Sequence, residues 1–263
     1  MRKNLLLKLV DWSQGNNITM EIILPHTSIK NQGHTTHCWA YSMCSMIESE
    51  LLSASNIEYT LNPLYFASHK RYPDRRGGVA QTFLDVYRNI GNQSNHNEWI
   101  KPEPTTQLPK AEDFIVLASF SHAPYHKEIT LKVPDNYEHF PSYNIPLNKM
   151  IEAVKDSIRN GHTCVWEGDI HGIGYSQQRG LALTLPSLFH HNSFMRSLAY
   201  FCHLLRDDHM MHIVGIGKNT KGTTFFLVKN SAGEGGAHKG YIYMSEEYFR
   251  NKTLTVTVRR NRK

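Results

Sequence analysis

Apolar positions recur at three- and four-residue steps after Thr36. Beyond residue 113 they fall in short runs or alternate, so the period of the pattern changes near the middle of the chain. Ala40, Met43, Cys44, Ile47 and Leu51 share one stripe, which predicts a helix from Cys38 to Leu52 packed into a core. Pro63 after Asn62 predicts a second helix start, and Val79 to Ile90 a third helix with Gly91 as its stop. The polar, Pro-containing segment from Gly91 to Asp113 reads as a connection between layers. Strands are predicted at Phe114 to Phe120, Glu128 to Val133, Thr163 to Trp166, His212 to Ile216, Thr224 to Lys229, Tyr241 to Met244 and Leu254 to Val258. Two helices interrupt them, Leu147 to Asn160 closed by Gly161, and Ser193 to Leu205. The fold class that follows is α+β: one domain of two lobes, mainly helical over residues 1–113 and mainly antiparallel β over 114–263. A functional site is expected in the crevice between the lobes.

Composition narrows the class. A chain of 263 residues with 40% hydrophobic and 20% charged residues can bury a real core, which excludes a disordered chain or a small disulfide scaffold. The excess of 29 Lys+Arg over 23 Asp+Glu is spread along the chain apart from Arg259, Arg260, Arg262 and Lys263. That tail lacks the interleaved aromatic residues of a nucleic-acid patch, so no nucleic-acid partner is expected. No apolar run reaches the roughly 18 residues of a membrane span, and the basic start has no small-residue cleavage site. Cys38, Cys44, Cys164 and Cys202 show no paired spacing and read as free thiols, which makes a cytoplasmic location the default.

Three segments hold the residue types that a thiol nucleophile needs. In Lys30 to Ser42, Cys38 stands at the first turn of a helix, where unpaired N–H groups and the dipole favour a thiolate and lower its pKa. In Asp207 to Gly217, His209 opens a strand, from which an imidazole can reach across a crevice to take and return a proton. In Val228-Lys229-Asn230-Ser231, the Asn230 carboxamide can accept a hydrogen bond from that imidazole. Any one of them reads equally well as core or surface. The Met43, Met46, Met210, Met211 and Trp166 positions read as core filling.

Taken together, the segments resemble papain-like cysteine peptidases. Gln32 stands six residues before Cys38, Trp39 follows it, His209 stands six before Gly215, and Lys229-Asn230-Ser231 ends the next strand. Ser119 to Tyr125, Val133-Pro134-Asp135-Asn136, Asp208 to Met211 and His238 to Tyr241 resemble the bleomycin hydrolase and aminopeptidase C branch. The resemblance runs from about Ser28 to Thr255 and implies peptide or protein substrates and no cofactor. It assigns Cys38 as nucleophile, His209 as base, Asn230 as its orienter and Gln32 as oxyanion donor. It also makes Gly77 and Gly78 backbone partners of the substrate, with Thr35, Thr36, Val79, Ala80, Asp207 and Asp208 as subsite walls. Two departures carry expectations. Thr35-Thr36-His37 removes a neighbouring disulfide, and Ala232 replaces a shielding Trp, which leaves the His209–Asn230 contact exposed. The connection after Gly91 is shorter than the insertion of larger branch members, which favours a monomer over their ring-like assembly.

Two other readings compete. His34-x-x-His37-Cys38 offers zinc donors, but no second pair stands at ligand spacing, so no metal is expected. A catalytically inactive peptide-binding relative would need the Ala232 change to have disabled an otherwise complete set of side chains. Within the peptidase reading, the tail Arg259 to Lys263 spans at most roughly 17 Å and is basic. An open cleft and endopeptidase action are therefore expected, with aminopeptidase action gated by the C-terminus as the alternative.

Overall fold

A computed structural model describes residues 10–90, 96–184 and 192–260. Gly91, Arg262 and Lys263 lie outside them, as does the basic start before Val10. In chain order the elements are β1 Thr19–Ile23, α1 Cys38–Ser55, β2 Thr60–Leu61, α2 Pro63–Ser68, α3 Ala80–Ile90, β3 Ile100–Lys101, β4 Phe114–Ala118, β5 Lys127–Ile129, β6 Ser142–Asn144 and α4 Leu147–Arg159. There follow β7 Cys164–Gly168, β8 Tyr175–Ser176, β9 Leu181–Ala182, α5 Ser193–Phe201, β10 His209–Lys218, β11 Thr224–Lys229, β12 Tyr241–Ser245, α6 Glu246–Lys252 and β13 Thr253–Arg259. The fold is α+β, as the change of period implies.

Local chemistry sets the helix ends. Asn62 accepts from the N–H groups of Leu64 and Tyr65 ahead of the N1 proline of α2. Ser245 accepts from Tyr248 N–H at the start of α6, where Glu246 and Glu247 face the positive end and Arg250 and Lys252 the negative end. This helix is absent from the sequence expectation because its seven residues sit between two strands with no run long enough to show a 3.6-residue period.

The pattern of α1 differs from the single stripe expected. It is buried on all sides from Trp39 to Leu51 apart from Tyr41, including Ser42, Ser45, Glu48, Ser49 and Glu50. A helix enclosed all round must find partners for its polar groups. Ser42 Oγ donates to Met210 O at 2.8 Å. Buried Glu48 accepts from Thr27 Oγ1 and Leu61 N, each at 2.7 Å, and from Lys30 Nζ. Lys229 Nζ donates to Thr27 Oγ1 and Ser45 Oγ, and Ser45 bonds His212 Nδ1. This network fastens the helical layer to the sheet, and burial pushes the Lys229 ammonium down to about 8.

The sheet runs β5-β6-β4-β13-β7-β10-β11-β12-β9-β8, with β1 added to β10. Its central strand, β10, pairs with β7 from His209↔Gly168 to Ile213↔Cys164. Its later residues pair with β1, from Gly215↔Ile23 to Lys218↔Thr19. A register shift between Ile213 and Gly215 on the β11 side accompanies this change of neighbours. An N-terminal strand thus completes the β-rich half, while Phe114 and Val116 of β4 pack into the helical core. The strand expected at Glu128 to Val133 ends at Ile129, and the chain from residue 130 to 141 is a loop that crosses toward α3. Met43, Met46, Met210, Met211 and Trp166 are buried in the two main cores. No helix among the described residues is long and apolar enough to cross a membrane.

Candidate active site

Cys38 opens α1, and His209 opens β10. The Met210 N–H, next in chain to His209, is directed at the Cys38 sulfur, so the first turn of the helix and the first residues of the strand meet there. His209 Nε2 lies 2.7 Å from Asn230 Oδ1. The orientation of this carboxamide follows from its other partners: Nδ2 donates to Gln177 Oε1 at 2.8 Å and Tyr175 Oη at 3.1 Å, and Oδ1 also accepts from Ser231 N–H. The oxygen therefore faces the imidazole, Nε2 carries the proton, and Nδ1 keeps a free lone pair.

The exposure expected from Ala232 is corrected here. Asn230 is only 4% exposed, because Tyr175 and Gln177, from β8 and the turn after it, close over its amide. Ala232 itself lies at the surface and bridges to Asn31. The cover comes from residues more than 50 positions away in sequence, carried by a two-residue strand that leaves no periodic trace.

Gln32 is held from both sides. Its backbone N–H donates to Ser231 O at 2.8 Å, its Oε1 accepts from Ser231 Oγ at 2.5 Å, and its Nε2 donates to Thr35 O at 2.8 Å. One amide hydrogen of Nε2 is left over for another acceptor. Thr35 Oγ1 returns a bond to Gln32 O, and Gly33 makes the turn between them with φ +61°. Thr36 Oγ1 accepts from Gly77 N–H at 3.1 Å.

Gly78 lies against the Trp39 indole, where a Cβ would come within 2.8 Å of the ring. At Gly77 a Cβ would fall 2.0 Å from the Asp135 carboxylate, which accepts the Gly78 N–H. Both positions, at φ +71° and +158°, therefore require glycine on steric grounds. Lys70 Nζ donates to Gly77 O. Val79 is buried beside this pair, and Ala80 is fully buried in the helical core, so Ala80 presents no side chain to the cleft. The adjacent carboxylates Asp207 and Asp208 diverge. Asp208 pairs with His171 Nδ1 at 2.9 Å, whereas Asp207 faces Glu167.

Electrostatics reverse the expected shift at Cys38. Burial pushes the thiol up to about 12, and the carboxylates of Asp207 and Asp135 add to the effect of burial. The N–H groups at the helix start oppose this and are outweighed. Burial also lowers the His209 imidazole, against the hydrogen bond to Asn230. Burial therefore acts against charge on both side chains. His37, ahead of the helix, is likewise pushed down by burial and by Lys70. Among the described residues no group of three or more His, Cys, Asp or Glu is arranged to hold a metal ion, and the four cysteines are unpaired.

The overall fold is shared by solved structures. PepW from Lactobacillus rhamnosis superposes with a TM-score of 0.64 at 11% identity, over 92% of this chain and 82% of its own. Bromelain from Ananas comosus gives 0.53 at 16% identity, over 89% and 93%. The ragweed pollen cysteine protease Amb a 11, in its proform, gives 0.54 at 15% identity, over 95% and 68%. At these identities the likeness establishes the fold, which is papain-like. No curated protein matches the chain in sequence. The model of the Peptidase C1-like family matches residues 87–262, which carry His209, Asn230 and the β-rich half. Cys38 and Gln32 precede that span, and it is the fold that brings them to it. The match covers more than half of the chain, which therefore belongs to the Peptidase C1-like family.

Proposed function

We propose that the chain is a cysteine peptidase that hydrolyses peptide bonds through Cys38 and His209. The observation that carries this reading is the fixed orientation of His209: Asn230, locked by Tyr175, Gln177 and the Ser231 N–H, engages Nε2 and leaves Nδ1 as the free base, while the next residue in chain, Met210, directs its N–H at the Cys38 sulfur. In this reading Nδ1 takes the thiol proton in concert with attack of the sulfur on the scissile carbonyl, since burial opposes a separated ion pair beforehand. The N–H of Cys38 and the remaining hydrogen of Gln32 Nε2 then receive the developing oxyanion. The imidazolium gives its proton to the leaving amine, and the C–N bond breaks. Water, deprotonated by the same Nδ1, attacks the thioester and releases the acid with return of the proton to sulfur.

Gly77 and Gly78 supply the backbone against which the substrate lies, with Thr36 and Lys70 fixing Gly77. Thr35 acts on Gln32, and Val79 lies behind the glycines. The reading requires neither metal nor cofactor. The chain through Arg260 does not reach the cleft: Arg259 pairs with Glu50 near the far end of α1, and Arg260 Nε donates to Phe114 O. Alkylation by iodoacetamide followed by peptide mapping tests the nucleophile, with Cys38 modified in step with loss of peptide hydrolysis. Full hydrolysis by a Cys38→Ala variant would end the reading.

A further inference from the structure

Between β5 and β6 the chain from residue 130 to 141 leaves the sheet and crosses toward α3. Asn136, buried at its centre, ties this loop to itself: Nδ2 donates to Leu131 O and Phe140 O, and Oδ1 accepts from Phe140 N–H. A loop closed on its own side chain holds its shape as a unit. Leu131 anchors it in the β-rich half, in one apolar cluster with Phe120 and Leu254. On the helical side, Gln81 Nε2 of α3 donates to Pro141 O at 3.0 Å and to Ser142 Oγ at 2.9 Å, and the Arg75 guanidinium lies over the Tyr137 ring. The loop is thus fastened to both lobes.

What it brings to the glycine pair is Asp135. The carboxylate accepts the Gly78 N–H and lies 2.0 Å from where a Cβ on Gly77 would stand. Lys70, which donates to Gly77 O, faces both Asp135 and Glu138 and draws the loop toward the glycines. A backbone N–H has one hydrogen to give, so no substrate carbonyl pairs with Gly78 while Asp135 holds it. A peptide laid along the pair as an added strand would run roughly 4.8 Å from its backbone, in space that this carboxylate fills. Leu131 and Val133 meet Val79, Glu167 and Thr255 around a cavity of about 10 Å³, room for no more than one water. Asp135 lies near enough to Cys38 to act on its thiol, so the filled stretch begins close to the nucleophile.

We propose that the 130–141 loop is an internal strap over the acyl side of the cleft, with Asp135 seated where a substrate carbonyl would pair with Gly78, and that it limits the chain to substrates with a short segment ahead of the cleaved bond. The strap deepens the peptidase reading and rests on it for which bond is cleaved. The limit is one of space and of an occupied donor, so a neutral, capped segment is excluded as firmly as a charged one.

The test compares the rates at which Cys38 is alkylated by acetyl-alanyl chloromethyl ketone and by acetyl-trialanyl chloromethyl ketone, read by peptide mapping. Both reagents are neutral and carry the same reactive group, so the ratio of their rates cancels any change in the thiol itself. In the wild type the longer reagent should react no faster than the shorter. Asp135→Ala frees the Gly78 N–H, and the ratio should rise roughly tenfold in favour of the longer reagent. Asp135→Asn keeps an acceptor without the charge, and its ratio should stay within about twofold of the wild type. Gln81→Ala loosens the strap on the helical side and should move the ratio in the same direction as Asp135→Ala, so either variant suffices if the other fails to fold. A wild type that already favours the longer reagent, or a ratio unmoved by both Asp135→Ala and Gln81→Ala, overturns the strap and leaves the peptidase reading standing. Because alkylation needs no turnover, the expected ratios in a protein that hydrolyses no peptide would retain the strap and reject the peptidase reading.

Discussion

Two buried polar clusters flank the start of β10, and they are built in opposite ways. On one flank Asn230 has every donor and acceptor used: Tyr175, Gln177, the Ser231 N–H and the imidazole account for the whole amide. On the other, Glu167 and Asp207 hydrogen-bond each other, and burial pushes both carboxyls up. A complete network in a low-dielectric site fixes one geometry, whereas an incomplete one raises the demand for a proton or a cation. The first flank holds the base in its tautomer. The second shares a proton between two carboxyls near Cys38.

The largest effect separates the shared machinery from both flanks. Cys38→Ala should lower kcat by on the order of a thousandfold or more in a peptide hydrolysis assay. On the complete flank, Asn230→Ala should lower kcat by tens-fold to about a hundredfold, since the buried imidazole N–H loses its acceptor and water cannot easily replace it. Gln32→Ala should cost a similar factor through the oxyanion. An Asn230→Ala enzyme within about threefold of wild type would show that the Tyr175 and Gln177 cover does not act as a shield.

The same contrast governs what the sequence reveals. The period change along the chain and the caps at Asn62 and Gly161 place most helices and the long strands, because those elements carry enough residues to repeat a pattern. Cys38, His209, Asn230 and Gln32, the residues proposed for catalysis, are legible through the family resemblance because they sit at element ends with the spacings that resemblance uses. The cover over Asn230 is not, since Tyr175 and Gln177 belong to a two-residue strand and a turn. A charged Glu167 inside the apolar run Cys164–Gly168 was a visible anomaly, but its partner Asp207 is 40 residues on and meets it only through the β7–β10 pairing. The balance at the Cys38 thiol is hidden for a related reason. The helix start is local and visible, while the desolvation and the Asp135 carboxylate that outweigh it come from packing.

A stability measurement sharpens the incomplete flank. Burial raises the Glu167 carboxyl from 4.5 to about 7, with Asp207 raised as well. In the folded state Glu167 keeps its proton where the unfolded chain has lost it. Its contribution is therefore fully present below about pH 4.5 and is lost as pH rises through about 7. Melting temperature followed across that window should fall with rising pH for this group, and Glu167→Gln should flatten the slope. An unchanged slope would mean that Glu167 is compensated by a cation already.

The smallest expected effect concerns Ala232. If the His209–Asn230 bond were open to water on that side, a bulky aromatic residue at 232 would shield it and raise kcat. The structure assigns the shield to Tyr175 and Gln177 instead, with Asn230 already 4% exposed and Ala232 at the surface beside Asn31. Ala232→Trp should therefore change kcat by no more than about twofold, as for surface substitutions away from buried networks. It should also leave the acid limb of the pH–rate profile in place, because the groups that set the His209 proton are untouched. In a Tyr175→Phe background, where the amide of Asn230 loses one acceptor, the same Ala232→Trp change acquires something to cover. A gain in kcat there but not in the wild type identifies Tyr175 as the shield. A gain of tenfold or so in the wild type itself would place the weak point at 232 and move the complete flank into the same class as its neighbour.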